Sequence, residues 1–446
     1  MHEENKKQIV DTWIIDPVKQ FVNNSTTSGI VLFSSALLAL ILANSPIKES
    51  YHHFWEYHFI IGFDQHVISK SLHHWINDGL MAVFFFVVGL ELKREIIAGE
   101  LSNPKNAILP IAGAIGGMVF PALIFLIFNP SGEASNGWGI PMATDIAFAL
   151  GVLYLLGNRV PLSVKIFLTA LAIADDIGAV LVIAFFYTSN IDFMSLMLGG
   201  VFMTVLITAN MIGVRNTLFY GIVGIGGLWL AFLLSGVHAT IAAVLAAFTI
   251  PANAKITEST FNRKAEKLLL KFKNLIPNNK TTVTNDQLHV LEDMKSLSIK
   301  ALTPLQRLEH KIHPVVAFII MPIFALANSG VTFGNDIMTQ LISPITIGIF
   351  FSLLLGKLLG ITGMVYLCLK LKLAVLPSDI TFKHIIGIAC LGAIGFTMSL
   401  FISELAFKDP VLIAHAKIGV LSASIVASFL GYYLVKKSIK ISKPLT

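Results

Sequence analysis

The amino-acid sequence predicts an all-α polytopic membrane protein of about twelve transmembrane helices. Three observations carry that expectation. The 446 residues are 55% hydrophobic and only 13% charged, with a mean hydropathy of +0.77. That is too little charge to cover a water-soluble surface of this size. Apolar runs of about 20 residues, long enough to cross a hydrocarbon layer roughly 30 Å thick, recur along the chain. Basic residues fall almost entirely in alternate connections. In lipid each segment satisfies its own backbone, so these runs read as helices; barrel strands would be about 10 residues long and alternating.

In order, the spans are 28–46, 74–98, 107–129, 139–158, 163–187, 193–213, 217–234, 235–251, 312–333, 340–366, 383–403 and 411–435. An even number returns the chain to its starting side. With both termini cytoplasmic, 27 of the 32 Lys and Arg residues lie in or beside cytoplasmic segments. Lys48, Lys70 and Lys408 face the other side, and Lys357 and Lys417 fall within spans. This is the positive-inside pattern of a bacterial inner-membrane protein. The net charge of +6 therefore reflects orientation, and no nucleic-acid partner is expected. The N-terminal segment, with Glu3, Glu4, Lys6, Lys7 and Asp11 before Pro17, lacks the features of a cleaved signal peptide. Cys368 and Cys390 lie in apolar stretches and give neither a disulfide framework nor a metal-ligand spacing.

The expected division is a cytoplasmic segment 1–27, helices one to eight over 28–251, a cytoplasmic loop 252–311, helices nine to twelve over 312–435, and a cytoplasmic tail 436–446. The loop is polar and basic, with turn signals at Pro277-Asn278-Asn279 and Asn285-Asp286. Its apolar patches, Leu268–Leu270 and then Leu288, Val290 and Leu291, predict amphipathic helices. Those helices form either a solvated connection or a surface for lipid head groups.

The fourth span contains Gly137-Trp138-Gly139-Ile140-Pro141-Met142-Ala143-Thr144-Asp145, and the eleventh Gly392-Ala393-Ile394-Gly395-Phe396-Thr397-Met398-Ser399. Such residues interrupt a helix, or they serve only to pack it closely. Interruptions survive in lipid where protein or water satisfies the freed backbone. Each sits in the middle of a three-span group, 107–187 and 340–435, and the step from the fourth span to the eleventh is seven, an odd number, so one group is inverted. Corresponding breaks in inverted halves point to a transporter binding site.

Ala174-Asp175-Asp176-Ile177-Gly178 lies near the middle of the fifth span. An ionised carboxylate at the bilayer centre costs roughly 2.5–3.5 kcal/mol, and a second beside it adds repulsion. Such a pair persists against water, a cation or a proton, or against fixed basic partners. A carboxylic acid withdrawn from water titrates nearer neutral pH, and its oxygens suit a hard cation. A site that takes either a proton or a cation is the minimum machinery for exchange.

Asp145 and Lys357 are the other charges of note within spans. If the broken spans cross, two helix N-termini of about +0.5 charge meet two C-termini of about −0.5. Asp145 then offsets the positive ends and Lys357 the negative ones. Alternatively Lys357 pairs with Asp175 or Asp176, or extends toward the interface. Thr144 offers a neutral oxygen to a cation, or caps a helix.

The motif Ala143-Thr144-Asp145-Ile146-Ala147-Phe148-Ala149-Leu150-Gly151, followed by Ala174-Asp175-Asp176-Ile177-Gly178, resembles the NhaA-type bacterial sodium/proton antiporters. Further matching stretches are Asn77-Asp78-Gly79-Leu80-Met81, Gly89-Leu90-Glu91-Leu92-Lys93-Arg94-Glu95, Ser235-Gly236-Val237-His238-Ala239-Thr240, Leu308-Glu309-His310 through His313-Pro314, Gly356-Lys357 and Gly395-Phe396-Thr397-Met398-Ser399. The resemblance implies twelve helices in inverted repeats with two interrupted, crossing helices. It implies electrogenic, pH-regulated exchange of Na+ or Li+ for protons. Asp175 and Asp176 match the cation- and proton-binding carboxylates, and Asp145 and Lys357 the pair compensating the broken-helix ends. Glu91, Glu95, His238, Glu309, His310 and His313 match positions associated with pH activation; by residue type alone they are ordinary interfacial polar groups. The loop after Asn253 is longer than is usual for the family, and Lys311 adds a charge to the Glu-His-x-x-His stretch.

The expected function is expulsion of sodium, driven by the inward proton gradient, with Na+ or Li+ bound at Asp175, Asp176 and Thr144. The other partners are membrane lipid and, in one arrangement, a second copy in a homodimer. No cofactor and no enzyme activity are expected, and no phosphate-binding Gly-rich loop is present. A sodium-coupled symporter of an organic anion is the alternative; it would lack the adjacent acidic pair. An aspartyl protease needs carboxylates facing across a gap, whereas neighbours on one helix diverge by about 100°. A channel would show a carbonyl-filter repeat.

Overall fold

The computed structural model describes residues 25–63, 66–188, 191–275, 282–333 and 337–441. The N-terminal segment up to residue 24, the turn expected at Pro277-Asn278-Asn279 and the tail beyond residue 441 lie outside the described residues.

Helix α1 (Ser25–Ala43) is followed by α2 (Lys48–Glu56), which turns away by 114° and so does not prolong the same crossing. Strands β1 (His58–Phe63) and β2 (His66–Ser71) then pair antiparallel, from His58 opposite Ser71 to Phe63 opposite His66. This hairpin departs from the all-helical expectation. Strands of six residues escape the roughly 19-residue window that detects crossings. A continuous helical run follows: Leu72–His74, a π-helical stretch Trp75–Leu80, and α3 (Met81–Ala98).

Next come α4 (Pro104–Phe128), a 3₁₀ helix Glu133–Met142, α5 (Ile146–Tyr154), α6 (Leu162–Phe186), α7 (Phe193–Ile212), α8 (Thr217–Ser235) and α9 (Ala239–Thr249). Helices α10 (Glu258–Lys273) and α11 (Asn285–Ala301) pack on each other within the loop. The chain ends with α12 (Pro304–Asn328), α13 (Pro344–Lys370), α14 (Phe382–Gly392), α15 (Phe396–Ala406) and α16 (Pro410–Ile441).

Among the described residues, seven helices are individually long and apolar enough to cross a membrane: α4, α6, α7, α8, α12, α13 and α16. Three bent pairs pass the same test jointly: α1 with α2 (114°), the 3₁₀ helix with α5 (41°) and α14 with α15 (45°); the last two are the interrupted spans. Helix α3 falls short because Glu91, Lys93, Arg94 and Glu95 crowd its last turns, and α9 because it has 11 residues. Apart from the hairpin, the chain is an all-α polytopic membrane protein.

The ninth span begins at Pro304, eight residues earlier than hydropathy places it. Thr303 caps it, its hydroxyl oxygen accepting from Gln306 N at 3.1 Å, and Pro304 occupies the first turn, where no N–H partner is lost. Arg307, Glu309, His310 and Lys311 therefore ride on a helix, in turns too polar for a hydropathy window to count.

The two three-span groups meet where α4 crosses α13. A Cβ placed on Gly116 would lie 2.1 Å from the carbonyl oxygen of Gly360, and one on Gly360 equally close to that of Gly116. Only backbone fits there, as small-residue contacts between membrane helices allow. Gly360→Ala should therefore cost about 1–3 kcal/mol through overpacking, read as a lowered Tm of the detergent-solubilised protein. Gly363→Ala, where an added Cβ meets nothing within 4 Å, should leave Tm unchanged or slightly raised.

Candidate functional site

The two interrupted spans cross through their breaks. Asp145 N donates to Ile394 O at 2.7 Å, and Ser399 Oγ to Ile140 O at 2.7 Å. Neither break contains a residue with positive φ, and Ala143 is extended at φ −80°, ψ 149°. The glycines beside the breaks thus answer to packing, not to a left-handed turn. A Cβ on Gly137 would sit 2.5 Å from the Phe407 ring.

One carboxylate serves both helix N-termini. Asp145 Oδ1 accepts from Phe148 N at 2.9 Å, capping α5. Its Oδ2 accepts from Thr397 N at 3.1 Å and from the Thr397 hydroxyl, in the first turn of α15. Each set of free N–H groups carries partial positive charge, so a buried anion between them is favourable.

The C-terminal ends meet a cation and a hydroxyl. Lys357 Nζ donates to the Met142 carbonyl, the last residue of the 3₁₀ helix, and forms an ion pair with Asp175 Oδ2. The Gly392 carbonyl, at the end of α14, lies 2.7 Å from Thr144 Oγ1. That hydroxyl is also 2.7 Å from Asp175 Oδ2 and receives Lys357 Nζ at 3.1 Å. Lys357 therefore offsets a helix end and pairs with Asp175 at once; at 0% exposure it does not reach the interface. A π-helical stretch, Ser352–Gly356, precedes it and re-aims the helix face on which it sits. Asp145, not Thr144, caps α5.

Asp175 and Asp176 are both buried but face different surroundings, since neighbours on a helix point about 100° apart. Asp175 turns to Lys357 and Thr144. Asp176 makes no hydrogen bond with any described residue and lines a cavity of about 800 Å³ together with Asp145 and Thr397. Oδ1 of each carboxylate is buried without a protein partner. Two acids thus share one lysine, and an unsatisfied buried oxygen is costly in this setting. The arrangement suits one proton or one small hard cation.

The mouth of the cavity carries Glu91, Arg94, Glu309, His310, Lys311 and His313. Arg94 is ion-paired with Glu309 and lies 3.2 Å from Glu95, and His313 Nε2 is 3.9 Å from Glu91. Five of the six residues expected to take part in pH activation gather here. His238 does not: its Nε2 is 2.8 Å from Tyr187 O, past the far end of α6. Arg94 and Thr397 were not foreseen. Arg94 is the basic residue set between Glu91 and Glu95, and Thr397 is a hydroxyl residue in the first turn after a break. Lys93 turns elsewhere, donating to Phe248 O at 2.6 Å and Ile250 O at 2.5 Å at the end of α9. On the side of the site away from the cavity, the buried rings of Phe85, Phe324 and Phe401 pack with centroids 5.5 and 6.3 Å apart.

Buried acids at two crossed, broken helices, reached from one side and plugged by aromatic rings on the other, define a secondary transporter of ions. Residues 19–435 match the family model described as Na+/H+ antiporter 1. The chain belongs to that family. It is 50% identical over 432 residues to the Na(+)/H(+) antiporter NhaA of Oleidesulfovibrio alaskensis, covering 97% of this chain and 96% of the relative. It is 49% identical over 429 residues to the Na(+)/H(+) antiporter NhaA 1 of Saccharophagus degradans, covering 95% and 92%.

Replacing Asp145 by Ala removes the acceptor at two helix N-termini at once. At about 1 kcal/mol per cap, the loss should be about 2 kcal/mol, with a clear fall in Tm. Thr397→Val should lose about half as much, because Asp145 keeps its bond from the Thr397 backbone N–H.

Proposed function

We propose that this chain expels Na+ or Li+ in exchange for protons, electrogenically and under pH control, across the bacterial inner membrane. The observation that carries the reading is the unpartnered Asp176 carboxylate facing the cavity beside an Asp175 held by Lys357. The printed names of the relatives, Na(+)/H(+) antiporters, support it.

In this mechanism a cation entering the cavity meets Asp176 first. Its oxygens replace part of the hydration shell, as hard cations require. Asp175 completes the site when Lys357 Nζ releases it, and Thr144 Oγ1 supplies a neutral oxygen. Lys357 keeps the Met142 carbonyl throughout, so the C-terminal helix end stays compensated. Protons held by the acids leave through the cavity as the cation binds. After the site turns to the other face, two protons replace the cation on Asp175 and Asp176. Lys357 pairs with Asp175 again only once the proton there has left to the cytoplasm, so two protons enter for each cation expelled. The inward proton gradient drives the cycle, so no nucleotide is consumed.

The positive-inside bias supports a cytoplasmic position for both termini and the loop 252–311, with the cavity mouth beside the basic connections. Glu91, Glu95, Glu309, His310 and His313 then meet cytoplasmic protons, and imidazoles near neutral pH suit them to sensing. His238 would act from a separate position. Intravesicular pH, followed after addition of Na+, Li+ or K+, should report proton movement with Na+ and Li+. Asp176→Asn should abolish the Na+-dependent signal; exchange at the wild-type rate would refute the assignment.

A further inference from the structure

A second buried polar cluster lies beyond the ring layer of Phe85, Phe324 and Phe401. Glu404, two turns along α15 from Thr397, receives Lys417 Nζ of α16 at 2.7 Å. His73 Nε2 approaches Glu404 Oε1 at 3.9 Å and Asn328 Oδ1 at 3.1 Å. Asn77 Nδ2 reaches His73 Nδ1 at 3.4 Å, and Asn328 Nδ2 donates to Asn77 Oδ1 at 3.0 Å. With an amide N–H at Nδ1, the neutral imidazole carries its hydrogen on Nε2. The Glu404 and Lys417 side chains are 14% and 12% exposed, and that of His73 is 31% exposed.

These groups belong to two walls. Glu404 and Lys417 continue the helices that hold Asp145, Thr397 and the ion site. His73, Asn77 and Asn328 extend the run into α3, and α12, whose other ends carry Glu91, Arg94 and Glu309 across the cavity. On the cavity side the walls part; at His73 and Glu404 they touch.

We propose that His73 and Glu404 form an outer latch between the two walls, closed when His73 is protonated and loosened when it is neutral, so that the outer medium's pH sets how readily the ion site turns outward. The inference rests on the exchange reading given above. An imidazolium attracts Glu404 across the seam, whereas the neutral ring keeps its bonds to Asn77 and Asn328, both on its own wall. Glu404 is the acid facing His73 from α15. Lys417 of α16 and the neighbouring His74 oppose its charge, and Asp78 is taken up by His74 at 2.9 Å. On α2, which packs against the Leu72–His74 turn, His52 lies near both Lys417 and Glu56. Lys417 occupies Glu404 permanently, which keeps that carboxylate charged and leaves His73 as the group that titrates.

Equilibrium exchange of radiolabelled Na+ through proteoliposomes tests this, because it requires the site to turn both ways yet moves no net protons. With inner-face pH held constant, the wild-type rate should rise about 3- to 10-fold as outer-face pH increases through the range in which His73 loses its proton. His73→Gln, which retains an amide for Asn328, should run at the fast level throughout, and Glu404→Gln likewise. His73→Arg, a permanent cation, should run at the slow level throughout. All variants should respond to inner-face pH as the wild type does, and Na+ binding to the purified variants verifies that they are folded. If His73→Gln and Glu404→Gln both track the wild-type response to outer pH, or if the wild type shows none, the latch is overturned. A wild type that exchanges no sodium at all would instead refute the underlying reading.

Discussion

Four helix ends meet inside this chain, and their unpaired backbone groups settle on the Asp145 carboxylate, the Lys357 ammonium and the Thr144 hydroxyl. Asp145 collects donors from α5 and α15, and Lys357 takes the carbonyl at the end of the 3₁₀ helix. Water solvates such ends in a soluble protein; in the membrane interior only protein can. Everything else at the site follows from this requirement. The Gly116–Gly360 contact brings α13 close enough to α4 for Lys357 to reach the crossing. The breaks, freed from helical hydrogen bonding, present Thr144 and the Gly392 carbonyl to Asp175.

The same compensation makes the acidic pair unequal. Lys357 satisfies a helix end and one oxygen of Asp175, but Asp176 has no basic neighbour within bonding reach. In the proposed exchange, the Lys357 ammonium, alike in charge to Na+, stands in for the cargo on Asp175 when the site is empty. When a cation displaces it, Lys357 is not stranded, because the Met142 carbonyl still holds it. A lysine anchored only to Asp175 would be left as a buried, uncompensated charge at that moment, at severe cost. Structural and transport roles therefore reside in one side chain without conflict.

The charges that matter were legible in the sequence because a charge within an apolar span is expensive and stands out. Asp145, Asp175, Asp176 and Lys357 announce themselves in that way, and odd spacing of two interrupted spans implies that they converge. Thr397 and Arg94 did not stand out: a hydroxyl at a helix start and a basic group at a span's end are ordinary locally, and only the fold gives them partners. The hairpin β1–β2 and the early start of α12 were hidden by averaging over windows longer than those features. The π-helical stretch before Lys357 leaves no trace in hydropathy, since Ser352–Gly356 reads as continuous helix. His238, though part of a recognisable motif, lies apart from the cavity because spacing along the chain says nothing about which end of a span it occupies.

The distribution of contacts between the two walls indicates where the molecule parts. Within the wall that carries the site, the bonds are short, buried and charged: Asp145 to both N-termini, Lys357 to Asp175, Glu404 to Lys417. Across the seam toward α3 and α12, proceeding from the site, the described residues place three phenyl rings and then the approach of His73 to Glu404 at 3.9 Å. Rings can slide or separate without leaving polar groups unsatisfied, whereas any division through the crossing would expose four helix ends. In the proposed exchange, a motion that turns the ion site outward separates Phe401 from Phe85 and Phe324 and carries Asp145, Asp175, Asp176 and Lys357 together as one piece. On that reading, the interactions that arrange the acids for a cation are the ones that do not break when the site changes sides.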